Sequence, residues 1–574
     1  MKRISNIYKK LLAAALVACG MTSCTDYLTI IPPEVITEEH FWQSKEDVNG
    51  VLAKAYLNML STDAVEKAIV WGELRADNLT FRESGPDNIR YIVQANLLDE
   101  NSYCDWAIYY EAIQTANLVI DRAPQVVERD PDFSEGDLNV VLGEMYALRA
   151  LGHFYLLRAF RDIPLAREVV ADDNNMPEYP QVHPLEALDF IMTDLEKAEK
   201  LVMKSGNYSS PEQNYGRITL NAVLAMKADV NLWRAAFATY YQQLPKQDEE
   251  TAELLAGVDV QKYYDDCISD CRDVISNMDQ LYEQSFEGMN NSERYPYNLI
   301  QNMGTEEAKK DYYSSAYDDI FGTKNSRESI FEFQISGENA KGPAKGAYNM
   351  YGSEDNHNCK LVVPSTLLSK FEEDDLRRYS YIDAPEASAD DKSYYVAKYS
   401  AKSSPATDFR KGDEYDANWI VYRKTDVLLM MAEALVERSA ATEDDYAEAV
   451  GIVRAINVRS RVDTTKMENP IEVEDYKPFD RTQISDLILN ERLLELTFEG
   501  KRWFDLVRKA LREGTTANIR FVADKLDKDA DAVKTKLSTI DGLFMPIYID
   551  ELRFNKLLEQ NPVYGKEDSS TEMN

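Results

Sequence analysis

Histidine and cysteine are scarce in this sequence, and neither is spaced like a known catalytic or metal site. The 574 residues include 4 histidines and 6 cysteines. There is no His-Glu-x-x-His pair, no Gly-x-Ser-x-Gly turn and no phosphate-binding loop. The cysteines and histidines also do not follow a zinc-binding pattern. We therefore predict no metal site, no cofactor and no catalytic residue, and we expect a protein that is not an enzyme.

Basic residues are in deficit as well. The chain has 64 Lys and Arg against 100 Asp and Glu, a formal net charge of −36. Such a surface repels phosphate backbones and anionic lipid headgroups, so we expect no nucleic-acid partner. The acidity suits a solvated protein that meets neutral ligands, although solubility alone explains it equally well.

Long apolar runs are missing beyond the N-terminus, since no later segment has 18 uninterrupted apolar residues. Residues 1–10 are basic, 11–18 are apolar, and small residues precede Cys24. This order is typical of a secretory signal, and its apolar stretch is too short to span a bilayer. Small residues ending in cysteine resemble a bacterial lipobox, although Met21 replaces the usual Leu. We predict cleavage after residue 23 and lipidation of Cys24, for example with palmitate.

Cleavage there would remove four basic residues and take the net charge from −36 to −40. Cys104, Cys267, Cys271 and Cys359 would remain beside the lipidated cysteine. Cys267 and Cys271 lie four residues apart, on one face of a predicted helix. An exported protein can form disulfides, but nothing in the sequence specifies a pairing. The redox state of these thiols is therefore left open.

Apolar residues at three- and four-residue spacing predict helices over most of the chain. The strongest segments come in pairs, with small residues where neighbouring helices would cross. This favours tetratricopeptide-like packing, although no strict 34-residue period is visible. The predicted helices cover 143–160, 184–201 and 219–237 with Thr219 as N-cap, then 427–435, 446–456 and 484–508. The predicted fold class is mainly α.

The stretch from 242 to 418 differs in composition, with many Gly, Ser, Asn, Asp and Pro residues and scattered tyrosines. Alternation in 329–333 predicts a strand. We interpret 242–418 as a loop-rich, partly β insertion between helical regions at 24–241 and 419–574, all within one compact unit. Irregular segments on a rigid frame are where binding residues tend to lie.

Three carboxylates, Glu491, Glu495 and Glu499, are spaced four residues apart and would share one helix face. Paired carboxylates can hydrolyse glycosides by acid–base chemistry. The alternative, which we favour, is that they pair with nearby arginines and stay ionised and structural. Those arginines are Arg492, Arg502 and Arg508.

This segment, NERLLELTFEGKRWFDLVR over 490–508, resembles the signature of the SusD/RagB family of outer-membrane nutrient-binding lipoproteins. Further matches occur in the family's order and span nearly the whole chain. They lie at 24–28, Pro32-Pro33, Phe41-Trp42, 47–50, 73–77, Ala116-Asn117, 143–150, 154–158, 162–164, 422–434, Pro546-Ile547, Glu551, Asn555 and 560–562. The ordered set is more specific than any single match.

The resemblance implies a SusD-like fold, with tetratricopeptide-like helix pairs as scaffold and a variable half that presents the ligand surface. It implies a lipid-anchored protein of the outer membrane that faces the cell exterior. Its partner would be a SusC-like TonB-dependent transporter, which it caps as a hinged lid. The ligand would be an oligosaccharide or, as in some members, a peptide. The family's shared helix motifs are scaffold, which argues further against a catalytic role for Glu491 and its neighbours.

Two regions combine rings with polar side chains, as a sugar-binding surface requires, because rings stack on C–H faces and polar groups meet hydroxyls. The first region follows Asp77 and the second lies in the insertion. In the family, ligand contacts generally come from these parts of the chain, but no individual residue belongs to a shared motif. The candidate ligand-binding residues are Asn78, Arg82, Asn88, Arg90, Tyr91, Tyr295, Tyr297, Tyr348 and Tyr351. For any single tyrosine, ordinary packing is the commoner role.

Three functions are therefore open from the sequence. The first is a glycan-binding surface lipoprotein paired with a transporter, or the same role with peptide as ligand. The second is a surface glycosidase that uses a carboxylate pair, and the third is a helical-repeat adaptor that binds no nutrient. The identity of the ligand, a structural cation and the stoichiometry of the transporter complex are left open.

Overall fold

Helices dominate the computed structural model of this chain, which confirms the predicted fold class. It describes residues 41–170, 178–283, 296–302, 315–336, 344–352, 359–383, 393–403, 406, 408–412, 415–461, 470–526 and 528–564. The predicted lipidation site Cys24 and the candidate ligand residue Tyr295 lie outside these ranges. No helix within them is both long and apolar enough to cross a bilayer.

The helices fall into two groups along the chain. The first group is α1 (Lys45–Leu60), α2 (Thr62–Ile69), α3 (Asp87–Val93), α4 (Ala107–Arg122), α5 (Glu135–Phe160), α6 (Pro184–Leu201), α7 (Pro211–Gly216), α8 (Leu220–Gln243), α9 (Glu249–Leu254) and α10 (Val260–Leu281). The second group is α11 (Gly346–Tyr351), α12 (Ser365–Leu368), α13 (Leu376–Tyr381), α14 (Lys424–Glu437), α15 (Glu443–Arg459), α16 (Arg481–Leu496), α17 (Arg502–Glu513), α18 (Ala530–Lys536) and α19 (Ile549–Phe554).

The long helices form a continuous array in which each packs on the next. In spatial order the array is α1, α4, α5, α6, α8, α10, α14, α15 and α16, while α17 also packs on α8. Side-by-side helices of this kind share one core, since each buries its apolar stripe on two neighbours. The array matches the packing that the paired sequence segments predicted.

Small residues lie where these helices cross. A Cβ atom on Gly143 of α5 would come within 2.7 Å of the Val202 backbone nitrogen, at the end of α6. A Cβ on Gly152 would come within 2.8 Å of Ile113 in α4. Both crossings therefore depend on glycine for their close approach.

Local capping explains where several helices begin. The long helix α5 begins eight residues before the predicted start at 143, because Ser134 and Asp137 form a capping box at its N-terminus. Helix α6 has the predicted bounds. Thr219 occupies the N-cap position of α8, but its side chain makes no capping bond. Instead, the Ser205 hydroxyl accepts the Asn221 backbone N–H at 3.0 Å.

The predicted helix over 484–508 is wrong in one respect, because it is two helices, α16 and α17. The chain breaks between them with left-handed backbone at Phe498 (φ 69°) and at Gly500 (φ 73°). Gly500 lies against Gly72, where a Cβ atom would collide with the Gly500 carbonyl. This contact of two glycines joins the N-terminal and C-terminal parts of the chain.

The region from 242, predicted to be a loop-rich insertion, also contains less loop than expected. Its first part contains α10, a helix of 22 residues that packs on α8 and α14. The helix buries a stripe at three- and four-residue spacing that includes Tyr264, Cys267, Ile268 and Cys271. The predicted common face of the two cysteines is confirmed, and the four described cysteines are buried and form no disulfide with one another. The helical scaffold therefore continues to residue 281.

Strands in the described ranges form small antiparallel pairs. The strands are β1 (Thr80–Phe81), β2 (Ile163–Pro164), β3 (Gln181–Val182), β4 (Ser329–Phe333), β5 (Leu361–Val362), β6 (Ile382–Asp383), β7 (Tyr395–Val396) and β8 (Trp419–Arg423), paired as β1–β5, β2–β3, β4–β8 and β6–β7. Strand β4 confirms the prediction at 329–333. Every residue of β4 is buried, so its alternation does not mark a solvent face.

Candidate functional site

Strand pairing brings the two predicted ligand regions together. Thr80 in β1 pairs with Val362 in β5, and Phe81 pairs with Leu361. The first region, after Asp77, thereby lies beside the part of the insertion that contains Tyr348. We call the exposed and half-exposed side chains of 82–91, 345–349 and Lys360 the loop surface. The chain reaches this surface from two positions about 280 residues apart, so no local pattern could have predicted the pairing.

A buried lysine holds the start of the first region. The Lys525 ammonium donates to the carbonyls of Leu74 at 2.8 Å and Leu79 at 2.6 Å, and also to that of Ala76. Burial lowers the pKa of Lys525 to about 7, although Asp77 and Glu73 favour its charged form. The chain therefore enters the loop surface from a fixed backbone.

Helix α3 presents three of the predicted residues side by side. Asn88 is half-buried. Its side-chain Nδ2 donates to Ser102 Oγ at 3.1 Å, and its backbone carbonyl accepts from Asn101 Nδ2 at 2.9 Å. Arg90 pairs with Asp87 and lies 5.7 Å from the centre of the Tyr91 ring. Both Arg90 and Tyr91 keep part of their surface exposed. A guanidinium beside a tyrosine ring is a suitable surface for sugar hydroxyls and C–H faces.

Glu66 joins the two halves of the loop surface from below. Its carboxylate accepts from Asn349 Nδ2 at 2.9 Å, from Lys360 Nζ at 2.6 Å and from the Tyr103 hydroxyl at 2.9 Å. Burial and the neighbouring Glu66 charge raise the pKa of Tyr103 well above its ordinary value. These contacts fix the positions of Asn349 and Lys360 at the surface. Sequence reasoning missed Glu66, Tyr103 and Lys360, because they belong to no motif and lie far apart in the chain.

Tyr348 is the tyrosine of the insertion that best fits the prediction. It is half-buried, and its ring centre lies 5.4 Å from that of the buried Tyr415, at an interplanar angle of 49°. Packing on Tyr415 restrains the ring while leaving part of it exposed. Arg82, on the other half of the surface, is also half-exposed.

Two predicted ligand residues are buried, which corrects their expected role. Asn78 is fully buried, and its amide donates to Glu73 and, at 3.0 Å, to Thr497 Oγ1. Tyr351 is 1% exposed, and its hydroxyl donates to the Phe498 carbonyl at 3.2 Å. Both side chains bind the turn that separates α16 from α17. They support the site from inside and do not reach a ligand at its surface.

Tyr297 lies elsewhere. It occupies a left-handed backbone conformation (φ 58°) and lines a cleft against α10 and α14 together with Arg272 and Glu448. The predicted residues of the insertion therefore do not form one surface.

The three carboxylates of the family-like segment are buried, and their partners are not the predicted ones. Glu491 accepts from Arg377 at 2.6 Å. Glu495 pairs with Arg459 at 2.6 Å and Arg423 at 2.7 Å, and Glu499 pairs with Lys398 at 2.6 Å and Arg423 at 2.7 Å. We call these carboxylates and their four basic partners the buried charge network.

The arginines expected to pair with those carboxylates form ion pairs with other acidic residues. Arg492 pairs with Asp426 and Asp505, Arg502 with Asp77, and Arg508 with Glu433 and Asp505. The structural interpretation is thus supported while the predicted pairing is wrong. Helix α16 ends at Leu496, so Glu499 leaves the common face and reaches different partners.

The pKa shifts in the buried charge network are those expected of structural ion pairs. Burial alone would raise the pKa of Glu495, but Arg459, Arg423 and Arg377 together hold it well below its ordinary value. Burial raises the pKa of Glu491, which Arg377 only partly offsets. No described cavity places a substrate beside these groups, since all three side chains are at most 3% exposed. Across the described residues, no group of three or more His, Cys, Asp or Glu is arranged to hold a metal ion.

Comparison with known families matches both ends of the chain. A model described as "SusD family" matches residues 371–564, and one described as "Starch-binding associating with outer membrane" matches residues 26–258. The second match contains α3 and the first half of the loop surface. The first contains the buried charge network.

Individual relatives agree with the family models. SusD-like protein P38 of Formosa agariphila is 27% identical over 98% of this chain and 100% of its own length. SusD-like protein P2 of the same organism is 25% identical over 86% of this chain and 88% of its own length. Both relatives are therefore matched over most of their length.

Solved structures share the fold. A SusD homolog from Bacteroides thetaiotaomicron superposes with a TM-score of 0.64 at 19% identity, over 92% of this chain and 99% of its own. NanU of B. fragilis superposes with a TM-score of 0.64 at 17% identity, over 93% of this chain and 100% of its own.

Proposed function

Because this chain is a SusD-like protein, we propose that it is a cell-surface lipoprotein that captures an oligosaccharide for uptake. In this proposal it delivers the glycan to a SusC-like TonB-dependent transporter, acting as the lid of that transporter, and it catalyses no reaction. One of the two matched family descriptions, that for residues 26–258, mentions starch binding and the outer membrane, which supports glycan binding as the general function.

The observation that carries the proposal is the convergence of two distant segments on the loop surface. Arg82, Asn88, Arg90, Tyr91 and Tyr348 all keep part of their side chains exposed. They combine rings with amide and guanidinium donors, the groups that meet the two kinds of surface on a sugar. The strand pair, and the contacts of Glu66 with Asn349 and Lys360, hold the backbone of the two segments on the helical scaffold, so binding need order little backbone.

A glycan is favoured over a peptide by the composition of this surface. Its rings stand beside polar groups: Tyr91 beside the Arg90 guanidinium, and Tyr348 next to Asn349 in α11. A peptide is the alternative, because backbone amides could also use Asn88 and Arg90.

Membrane attachment in this proposal is by a lipid on Cys24 alone. The experiment is to express the wild-type chain and Cys24→Ser in the native host and to follow partition into Triton X-114. We expect the wild type in the detergent phase and the variant in the aqueous phase or the medium. A variant that stays in the detergent phase would contradict lipidation at Cys24.

The glycan proposal is tested by isothermal titration calorimetry on the purified mature chain. The panel contains maltoheptaose, xylohexaose, laminarihexaose, mannohexaose and a mixed decapeptide pool. We expect one glycan class to bind and the peptides not to bind. Binding of the peptide pool alone would favour the peptide alternative. Absence of binding by both glycans and peptides would favour a structural adaptor.

The glycosidase alternative is tested on the same samples. After a day of incubation, new reducing ends would support hydrolysis, whereas unchanged glycan would support capture without reaction. Co-purification of a transporter barrel with affinity-tagged wild-type chain, from the native host, tests the proposed partner.

A further inference from the structure

A cleft on the helical scaffold is separate from the loop surface. It lies between α7, the beginning of α8, the end of α10 and β4, and its volume is about 260 Å³. Its lining residues include Ser209, Ser210, Asn214, Tyr215, Asn221 and Tyr282. It shares no residue with the loop surface.

Among the residues that the structure describes, the lining of this cleft contains no acidic or basic side chain. Its polar groups are serine and threonine hydroxyls, two asparagine amides and two tyrosine hydroxyls. In contrast, a second cleft is lined by Arg161, Asp162 and Glu250, and the cleft of Tyr297 is lined by Arg272 and Glu448. A charge-free cleft is unexpected in a chain that is 29% charged with a net charge of −36. It selects against ionic ligands, because a charged group would lose its hydration without gaining a counter-ion.

Hydrogen bonds fix the polar side of the cleft. Asn214 Nδ2 donates to the carbonyls of Tyr208 at 2.9 Å and Ser210 at 3.0 Å, and its Oδ1 accepts the Tyr208 N–H at 3.0 Å. Asn221 Oδ1 accepts from Asn277 Nδ2 at 3.0 Å. These contacts hold both amides in one orientation. Asn214 Nδ2 already donates both of its hydrogens within the protein, so this amide offers a ligand an acceptor only.

Apolar surface also lines the cleft. The rings of Tyr215 and Tyr282, joined through their hydroxyls, line it together with Met278, Leu281 and Pro211. Rings combined with hydroxyl and amide groups match the two surfaces of a pyranose or furanose, which is apolar on its C–H face and polar on its rim.

The volume limits the ligand to a small one. Sites for drug-sized ligands usually measure roughly 300–1,000 Å³, so a cleft of about 260 Å³ fits one ring better than an oligosaccharide. We propose that this cleft binds a single neutral sugar unit or a similar small polyol, independently of the loop surface.

The experiment is saturation-transfer-difference NMR and calorimetry on the full mature chain. The probes are D-glucose, D-galactose, D-mannose and D-xylose, with D-glucuronate as the charged analogue, each at about 10 mM because single sugars bind weakly. We expect at least one neutral sugar to bind and glucuronate to bind at least about tenfold more weakly than glucose.

Two variants locate the binding. Tyr215→Ala removes a ring wall, and Ser209→Trp fills the cleft from its exposed rim, so each should weaken binding about tenfold or more. Tyr240→Ala is the matched control, since Tyr240 is a half-buried tyrosine of α8 that does not line the cleft. Tyr215→Phe keeps the ring and tests whether loss of binding reflects misfolding. Thermal melts of all variants accompany the titrations.

The proposal is overturned if no neutral sugar binds, or if Tyr215→Ala and Ser209→Trp bind as the wild type does. It is separable from glycan capture at the loop surface, because Tyr91→Ala should leave single-sugar binding unchanged. A wild-type chain that binds a single neutral sugar but no oligosaccharide would overturn the proposed function and support this one.

Discussion

The buried charge network and the loop surface are both rich in charged and polar groups, but these groups are buried and paired in the first and partly exposed in the second. In the network, Glu495, Arg423 and Arg459 are fully buried, and each pairs with an opposite charge. In the loop surface, Arg82, Arg90 and Tyr91 remain half-exposed. The segment with the strongest sequence signature is therefore interior, and the surface proposed to bind the ligand has no signature at all.

The difference teaches how to weigh a polar motif. Charges spaced on one helix face are compatible with catalysis and with structure alike, and only burial and partners distinguish the two. An enclosed ion pair costs several kcal/mol in lost hydration per ion, which its partners must offset. Such a cluster constrains the fold strongly and leaves no room for a substrate.

The largest expected effect comes from breaking the network. Glu495→Ala would leave Arg377, Arg423 and Arg459 short of a counter-charge in the interior. We expect the free energy of unfolding to fall by about 3–5 kcal/mol, measured by urea denaturation. Glu443→Ala, at an exposed position in α15, is the control and should change stability by less than about 0.5 kcal/mol. Equal effects from the two variants would contradict the comparison.

The second-largest expected effect is a loss of folding stability at low pH. Burial opposes ionisation of Asp426, but Lys501 and Arg492 hold its pKa at about 2, below its ordinary value of 3.8. The unfolded chain therefore takes up this proton first, so the stabilisation is present above pH 4 and is lost as the pH falls toward 2. Glu495, whose pKa is also lowered, acts in the same direction.

Urea midpoints at pH 7, 4, 3 and 2 measure this loss. Asp426→Asn should be less stable at pH 7 and should show a shallower decline below pH 4. A wild-type midpoint that stays constant from pH 5 to 2 would argue against ionised carboxylates in the interior.

A smaller effect is expected where the two regions meet. Asn78 was a candidate for ligand contact, but it is buried between Glu73 and Thr497. Asn78→Ala should lower the free energy of unfolding by about 1–3 kcal/mol, because Glu73 loses a buried donor. Glycan affinity at the temperature where the variant is folded should stay within about twofold of wild type. A loss of affinity without a loss of stability would restore Asn78 to the ligand site.

The smallest effect on stability is expected at the loop surface itself. Tyr91→Ala should weaken oligosaccharide binding about tenfold, near 1.4 kcal/mol, through lost ring contact with the sugar. The same change should alter the free energy of unfolding by less than about 1 kcal/mol, since the ring is only partly buried. Calorimetry and urea denaturation on the same preparation separate the two quantities. Affinity that does not change would remove Tyr91 from the proposed site.

Sequence reasoning predicted the helices well because each carries its own apolar stripe. Helix α6 has the predicted bounds. For α10, a helix around Cys267 and Cys271 was predicted but its full extent was not, although Tyr264 and Ile268 continue the same stripe. The composition of the surrounding segment outweighed that local pattern. The break between α16 and α17 could not be read from apolar spacing, because it depends on the left-handed backbone at Phe498 and on the contact of Gly500 with Gly72.

The candidate site was predictable in region but not in residue. Arg90 and Tyr91 lie at the surface as expected, whereas Asn78 and Tyr351 turn inward. The direction of each side chain depends on partners hundreds of residues away. The Lys360–Glu66 pair spans 294 residues, and neither residue stands in a recognisable pattern. Spacing rules describe neighbours along a helix, so they contain no information about such pairs.

Lys525 has a consequence for how the protein must mature. Its ammonium donates hydrogen bonds to the carbonyls of Leu74 and Leu79, and Arg75 donates to the carbonyls of Gly542 and Leu543. In the proposed role the chain is exported N-terminus first, so the segment that leads into the loop surface lacks these partners until the last tenth of the chain has emerged. A prematurely terminated chain would keep the predicted signal and anchor without a formed loop surface. The proposed binding face would thus form only after Lys525 and the carbonyl partners of Arg75 have emerged.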